Sequence, residues 1–135
     1  ELHTRPCWCG QAGCIETWIS GPGFAQDHAR VTGQSLTPPA IIDAMRQGDG
    51  QAQQSFERYL DRLGRALAQV VNLLDPAVIV LGGGMSNVTE IYERITPRMA
   101  QHTFTRPITT PVRPAKFGDS SGIRGAAWLT RVVKP

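Results

Sequence analysis

From Gln51 to Leu74 the apolar positions Phe56, Leu60, Leu63, Leu67, Val70, Val71 and Leu74 recur at spacings of three and four. That stripe predicts a long amphipathic helix, and Asp75-Pro76 stops it, because the residue before a proline is pushed out of the helical region. Val78-Ile79-Val80-Leu81 is a continuous, mostly β-branched run, which predicts a strand buried on both faces. Gly82-Gly83-Gly84 ends it. Ser86 or Asn87 can cap a following helix that carries Val88, Ile91, Tyr92 and Ile95, with Pro97 placed to bend it or end it early. Ile108 to Phe117 reads as extended and is interrupted by Pro111 and Pro114, which suits an edge strand. Gly118-Asp119-Ser120-Ser121-Gly122 then turns into a last helix through Ala126, Ala127, Trp128 and Leu129.

Upstream of this stretch, Cys7 to Gly13 is too rich in Gly and Cys for regular structure. Cys14 to Arg30 predicts a helix with apolar Ile15, Trp18, Ile19 and Phe24, interrupted at Gly21-Pro22-Gly23. Thr37-Pro38-Pro39 starts a short helix, with Thr37 as cap and proline in the first turn, and Gly48-Asp49-Gly50 ends it. The order is helices, buried strand, helix, edge strand, helix. This is an α/β pattern with too few strands for a complete sheet. A buried parallel strand needs a neighbour on each side, so the expectation is that further strands lie upstream of Glu1. The start Glu1-Leu2-His3-Thr4-Arg5-Pro6 has no initiator Met and no basic-apolar leader pattern, and reads as a cut end.

At 135 residues the chain suits one domain. Hydrophobic residues make up 41% and charged residues 19%, unlike a disordered chain. The formal charge is +3 with Lys and Arg scattered singly, which argues against a nucleic-acid surface. The longest apolar run, Ala77 to Leu81, is strand-sized, so no membrane-spanning helix is predicted. Three cysteines cannot all pair within the chain, and their clustering suits metal ligation better than a disulfide framework, with a reducing cytoplasm as the expected location.

Cys7-Trp8-Cys9-Gly10-Gln11-Ala12-Gly13-Cys14 puts three thiols within eight residues, with glycines that permit the turns needed to aim them at one centre. Zinc suits such a set, being tetrahedral and sulfur-tolerant; three independently buried cysteines are the alternative, and the spacing disfavours it. A fourth ligand could be His3 or a group upstream. Strand, glycine turn and helix start at Val78 to Gly84 can receive a phosphate or nucleotide on backbone amides. A plain tight turn has the same sequence, and the local residues leave both readings open. Gly118 to Gly122 reads first as helix capping. Glu16, two residues after Cys14, could accept hydrogen bonds from ligand hydroxyls, although an acidic residue near a helix N-terminus is locally the simpler reading. His28 and His102 read as surface residues, and Trp8, Trp18 and Trp128 as packing residues.

The combination Cys7-x-Cys9-Gly10-x-x-Gly13-Cys14-x-Glu16 resembles the signature of the ROK family, which contains sugar kinases and related repressors. Ile19-Ser20-Gly21-x-Gly23-Phe24, Asn72 to Pro76, Leu81 to Asn87 and Gly118-Asp119-Ser120-Ser121-Gly122-x-Arg124-Gly125-Ala126-Ala127 look like its proteobacterial fructokinase branch, with N-acetylglucosamine kinase a near relative. The resemblance implies an actin-like, ribonuclease-H-like pair of α/β domains that bind a hexose and ATP in the cleft between them. With magnesium, the γ-phosphoryl group passes to a sugar hydroxyl. By residue match, it makes Cys7, Cys9 and Cys14 structural zinc ligands, Glu16 a sugar ligand, and Gly82, Gly83 and Gly84 a nucleotide-contacting turn.

In that family the catalytic Asp, the phosphate-binding loop and a Glu-x-x-Gly-His segment, whose His is the fourth zinc ligand, all precede the cysteine cluster. The expectation is therefore that residues 1–135 are the C-terminal part of such a kinase, with the zinc loop at about 3–16, no catalytic residue of their own and no activity alone. Fructose is the expected sugar and a homodimer a plausible assembly of the intact protein. The alternative is a sugar-sensing repressor with a DNA-binding element upstream, the one reading that calls for nucleic acid.

Overall fold

The computed structural model describes residues 5–104 and 106–132. His3, the candidate fourth ligand, lies outside the described residues. The elements are α1 (Glu16–Ile19), α2 (Gly21–Thr32), α3 (Pro38–Arg46), α4 (Gly50–Leu74), β1 (Ile79–Leu81), a 3-10 turn (Gly84–Asn87), α5 (Thr89–Ala100), β2 (Val112–Pro114) and α6 (Ser121–Val132). No helix among them is long and apolar enough to cross a membrane.

Side-chain caps set the starts of α2, α3 and α4. Ser20 accepts from the Gly23 amide at 3.1 Å, Thr37 from Ala40 at 3.4 Å and Asp49 from Ala52 at 2.7 Å, each satisfying an amide that has no partner within its helix. The expected interruption after α1 therefore falls at extended Ser20, and Gly21 and Pro22 begin α2 instead of breaking it. Proline is tolerated there because first-turn amides have no helical acceptor. Pro97 likewise sits inside α5 without ending it, the helix continuing to Ala100.

The core lies where α4 receives α2, α3 and α5. Phe24, Phe56 and Tyr59 form its aromatic centre, with ring centroids 5.3 Å apart for Phe24 and Tyr59 and 6.3 Å for the stacked Phe56 and Tyr59. Ile41, Leu60, Ile91, Ile95 and Met99 complete it without solvent exposure above 1%. Each such side chain contributes about 1.5–3 kcal/mol through burial.

β1 and β2 pair in parallel, Ile79 with Val112 and Leu81 with Pro114. They form the only sheet among the described residues. The strand expected to be buried on both faces is not: Val80 is 56% exposed, because two strands offer one neighbour and one covered face. His28 is also corrected. It is 1% exposed, its Nδ1 2.9 Å from Ser55 Oγ. His102 is exposed, as read from sequence. Of the tryptophans, Trp18 packs, whereas Trp8 and Trp128 are 86% and 72% exposed.

Candidate functional site

The cysteine loop is a short antiparallel clasp. Pro6 bridges Ala12, Cys7 donates its amide to the Gln11 carbonyl at 2.8 Å, Gly10 to Cys7 at 3.0 Å and Gly13 to Arg5 at 2.7 Å. Gly10 and Gly13 have φ of 84° and 76°, left-handed values that side chains with a Cβ rarely adopt. These turns bring the Sγ atoms of Cys7, Cys9 and Cys14 within 4.8 Å of one another, with Cys9 and Cys14 at 3.5 Å. Sulfurs bound at about 2.3 Å around a tetrahedral zinc sit close to 4 Å apart, so the donor set fits that ion. The thiols already share hydrogen bonds. Cys9 is shifted toward the thiolate, first by the hydrogen bond from the Gln11 backbone and then by those from Cys14 and Cys7. The Cys14 thiol is pushed up to about 11, chiefly by its hydrogen bond with Cys9.

Cys14 leads into α1. Its carbonyl accepts from the Thr17 amide at 3.0 Å and the Thr17 hydroxyl at 2.6 Å. Glu16, the first residue of α1, is exposed, and its Oε2 accepts from Trp8 Nε1 at 3.3 Å. The cysteine loop and the candidate sugar ligand thus meet through the indole that sequence reasoning had assigned to packing.

The glycine turn follows β1 but opens into a 3-10 turn, and α5 begins only at Thr89; the amides of Gly82 to Gly84 are therefore not the first turn of an α-helix. Gly83 has φ 76° and donates to the Asp119 carbonyl at 3.2 Å. A Cβ built on any of the three glycines meets no atom within 4 Å, so this backbone faces open space. Ser86 donates to the Gly83 carbonyl at 2.7 Å and Asn87 to Asp119 at 3.1 Å. Hydrogen bonds from Ser120 and Asn87 hold the Asp119 carboxyl low.

Two cavities flank the turn. One, of about 450 Å³, is bounded by Pro22, Pro38, Ile42, Arg46, Gly84 and Met85. The other, of about 410 Å³, is bounded by Ser20, Tyr59, Leu63, Gly82 and Gly83. Ser20 closes α1, its amide bonded to the Glu16 carbonyl at 3.1 Å, so the four-residue helix links the cysteine loop to the cavities. Glu16 itself lines neither.

Sequence reasoning missed the charged centre behind the loop. Asp27, 1% exposed, receives Arg5 at 2.8 Å, Arg30 at 3.1 Å, Arg58 at 2.8 Å and Arg62 at 3.1 Å. Burial opposes ionisation of Asp27, but hydrogen bonds from Arg62, Arg58 and Arg30 outweigh it and hold the carboxyl well below the ordinary range. Trp18 carries two of the guanidiniums on its ring, Arg5 at 3.6 Å and Arg62 at 4.7 Å. The sole local hint was Arg58 and Arg62 one helical turn apart; their partner is on another helix.

The chain is 42% identical over 129 residues to the N-acetyl-D-glucosamine kinase of Salmonella arizonae, covering 96% of this chain and 43% of the relative. It therefore spans less than half the length of that protein. Its fold matches a ROK family glucokinase from Streptomyces griseus, solved with glucose and AMPPNP, at a TM-score of 0.78 and 28% identity, over 95% of this chain and 49% of the other. It also matches a ROK family transcriptional regulator, a homologue of the E. coli MLC protein, at a TM-score of 0.73 and 23% identity, over 97% and 36% of the two chains; that likeness concerns the fold alone. Residues 1–132 match the family described as ROK. With its cysteine loop, its glycine turn and its α/β fold, the chain belongs to the ROK family.

Proposed function

We propose that the chain is the C-terminal part of an ATP-dependent sugar kinase, which transfers the γ-phosphoryl group of ATP to a hydroxyl of a hexose or N-acetylhexosamine. The observation that carries this reading is the continuity of a three-thiol loop, the carboxylate of Glu16 and an open glycine turn between two cavities. Sequence segments suggested a fructokinase. The 42% identity to an N-acetyl-D-glucosamine kinase makes N-acetylglucosamine the first sugar to test and fructose the second. That same identity favours a kinase over a repressor, since the fold is common to both.

In this reading Cys7, Cys9 and Cys14 hold zinc, which supplies no reactive group and cross-links the loop. Glu16 accepts hydrogen bonds from a sugar hydroxyl, oriented by Trp8. The exposed turn at Gly82 to Gly84 faces the nucleotide phosphates, with the Gly83 amide already committed to the Asp119 carbonyl, and the cavity beside Pro38 and Met85 takes the apolar face of the base. Magnesium accompanies the nucleotide, and none of the residues described is assigned to it. No group here is assigned the role of catalytic base. Phosphoryl transfer requires both walls of a cleft, so the 135 residues alone are expected to bind without turning over. The setting is cytoplasmic, and a homodimer is the assembly we favour.

The test is binding of a fluorescent ATP analogue to the chain, with a Gly83→Val variant as control, alongside metal analysis of the purified protein. Saturable binding lost on substitution, with one zinc per chain, supports the reading. Binding unaffected by Gly83→Val removes the glycine turn from the nucleotide site, and hexose phosphorylation by the chain alone overturns the two-wall argument.

A further inference from the structure

Arg5 precedes the cysteine loop and touches every part of its support. Its carbonyl accepts the Gly13 amide at 2.7 Å. Its Nη1 donates to the Thr17 carbonyl at 2.7 Å and the Gly23 carbonyl at 3.2 Å, its Nη2 to Asp27 Oδ1 at 2.8 Å, and its guanidinium lies 3.6 Å from the centroid of the Trp18 ring. By contrast, the bonds from Cys7 and Gly10 stay inside the loop, and Thr17 secures only the Cys14 end.

We propose that Arg5 is the positioning residue of the cysteine centre, fixing the entry of the loop to the α1–α2 corner so that Cys7 and Cys9 stay in register with Cys14. This rests on the zinc reading above. The three acceptors and the ring face match a planar fork that also stacks, which lysine cannot reproduce. The acceptors are themselves rigid: a Cβ on Gly23 would lie 2.4 Å from the Thr17 carbonyl oxygen, so the two carbonyls converge because no side chain separates them. Loss of Arg5 also leaves the global fold its main anchor, since Asp27 keeps Arg30, Arg58 and Arg62. The metal loop and the helical core are thereby separable.

Arg5→Lys and Arg5→Met test the proposal. Measured are the urea unfolding midpoint, Co²⁺ affinity by the thiolate charge-transfer band under chelator competition, and exchange of the Gly13 amide in metal-free protein. The expected result is a midpoint lowered only slightly, because Asp27 keeps three other guanidiniums, with faster Gly13 exchange and Co²⁺ affinity lowered by about tenfold or more in both variants, the scale seen when a group supporting metal ligands is removed. Affinity and exchange equal to the parent overturn the proposal, and so does a fall in midpoint that accounts for both losses. Should the parent itself take up no Co²⁺, the zinc reading fails and exchange alone decides: lost Gly13 protection supports the clasp, retained protection overturns it.

Discussion

Gly64 in α4 lies so close to Arg98 in α5 that a Cβ at position 64 would stand 2.6 Å from Arg98 Cβ and 3.1 Å from its carbonyl carbon. The packing of α4 on α5, the most extensive between any two elements of the core, depends on this absence of a side chain. Arg98 is further held by an ion pair to Glu57, which also pairs with Arg94. Gly64→Ala would gain helix propensity but must push the helices apart; the net expectation is destabilisation by about 1–3 kcal/mol. A urea midpoint at or above that of the parent would show that α5 yields freely.

Asp27 makes the acid limb of stability. Its folded carboxyl is held below its unfolded value by the surrounding guanidiniums against the cost of burial, so its contribution is complete above the unfolded pKa and drains away as pH falls below about 4. Glu90, brought down to about 2 first by its hydrogen bond from Arg46, adds to the same limb. Asp27→Asn leaves several buried guanidinium contacts without their anion and is expected to cost about 3–5 kcal/mol at neutral pH. The variant should also lose part of the steepness below pH 4. Equal stability of variant and parent at pH 7 would remove the cluster from the fold's energetics.

Ser55 joins three partners inside the core. Its hydroxyl donates to the Gln51 carbonyl at 3.0 Å and accepts from Arg58 at 3.0 Å, which assigns His28 Nδ1, at 2.9 Å, as a donor. Ser55→Ala strands that buried ring nitrogen and is expected to cost about 1–3 kcal/mol. The His28 ring proton, followed by NMR at low temperature, should lose its protection in the variant and keep it in the parent.

Val80 and Leu73, 56% and 82% exposed, carry no packing load in this chain. Val80→Thr and Leu73→Ser should each change stability by about 0.5 kcal/mol or less while raising the concentration at which the protein aggregates. A loss above 1 kcal/mol, on the scale of a packed side chain, would mean that another surface covers them.

The helices were legible because their information is local: the stripe from Phe56 to Leu74, the Thr37 cap and the Asp75-Pro76 stop all act within a few residues. The cysteine loop was legible for the same reason, three thiols and two glycines in one short segment. What stayed hidden is non-local. Asp27 meets Arg5, Arg58 and Arg62 only through the packing of α2 on α4, and nothing near His28 announces Ser55. The exposure of Val80 was misread because composition tells that a strand wants neighbours, whereas only the sheet tells how many it has. Trp8 escaped because an indole reaching Glu16 across a turn looks, in sequence, like any aromatic residue.

The bond from Gly83 to the Asp119 carbonyl has a mechanical side. α6 is exposed from Gly122 to Leu129, so its direction is inherited from the loop that Gly83 and Asn87 grip. A helix of 12 residues is about 18 Å long. It is a lever with its fulcrum at the glycine turn, and a rotation of about 5° there moves its far end by about 1.5 Å.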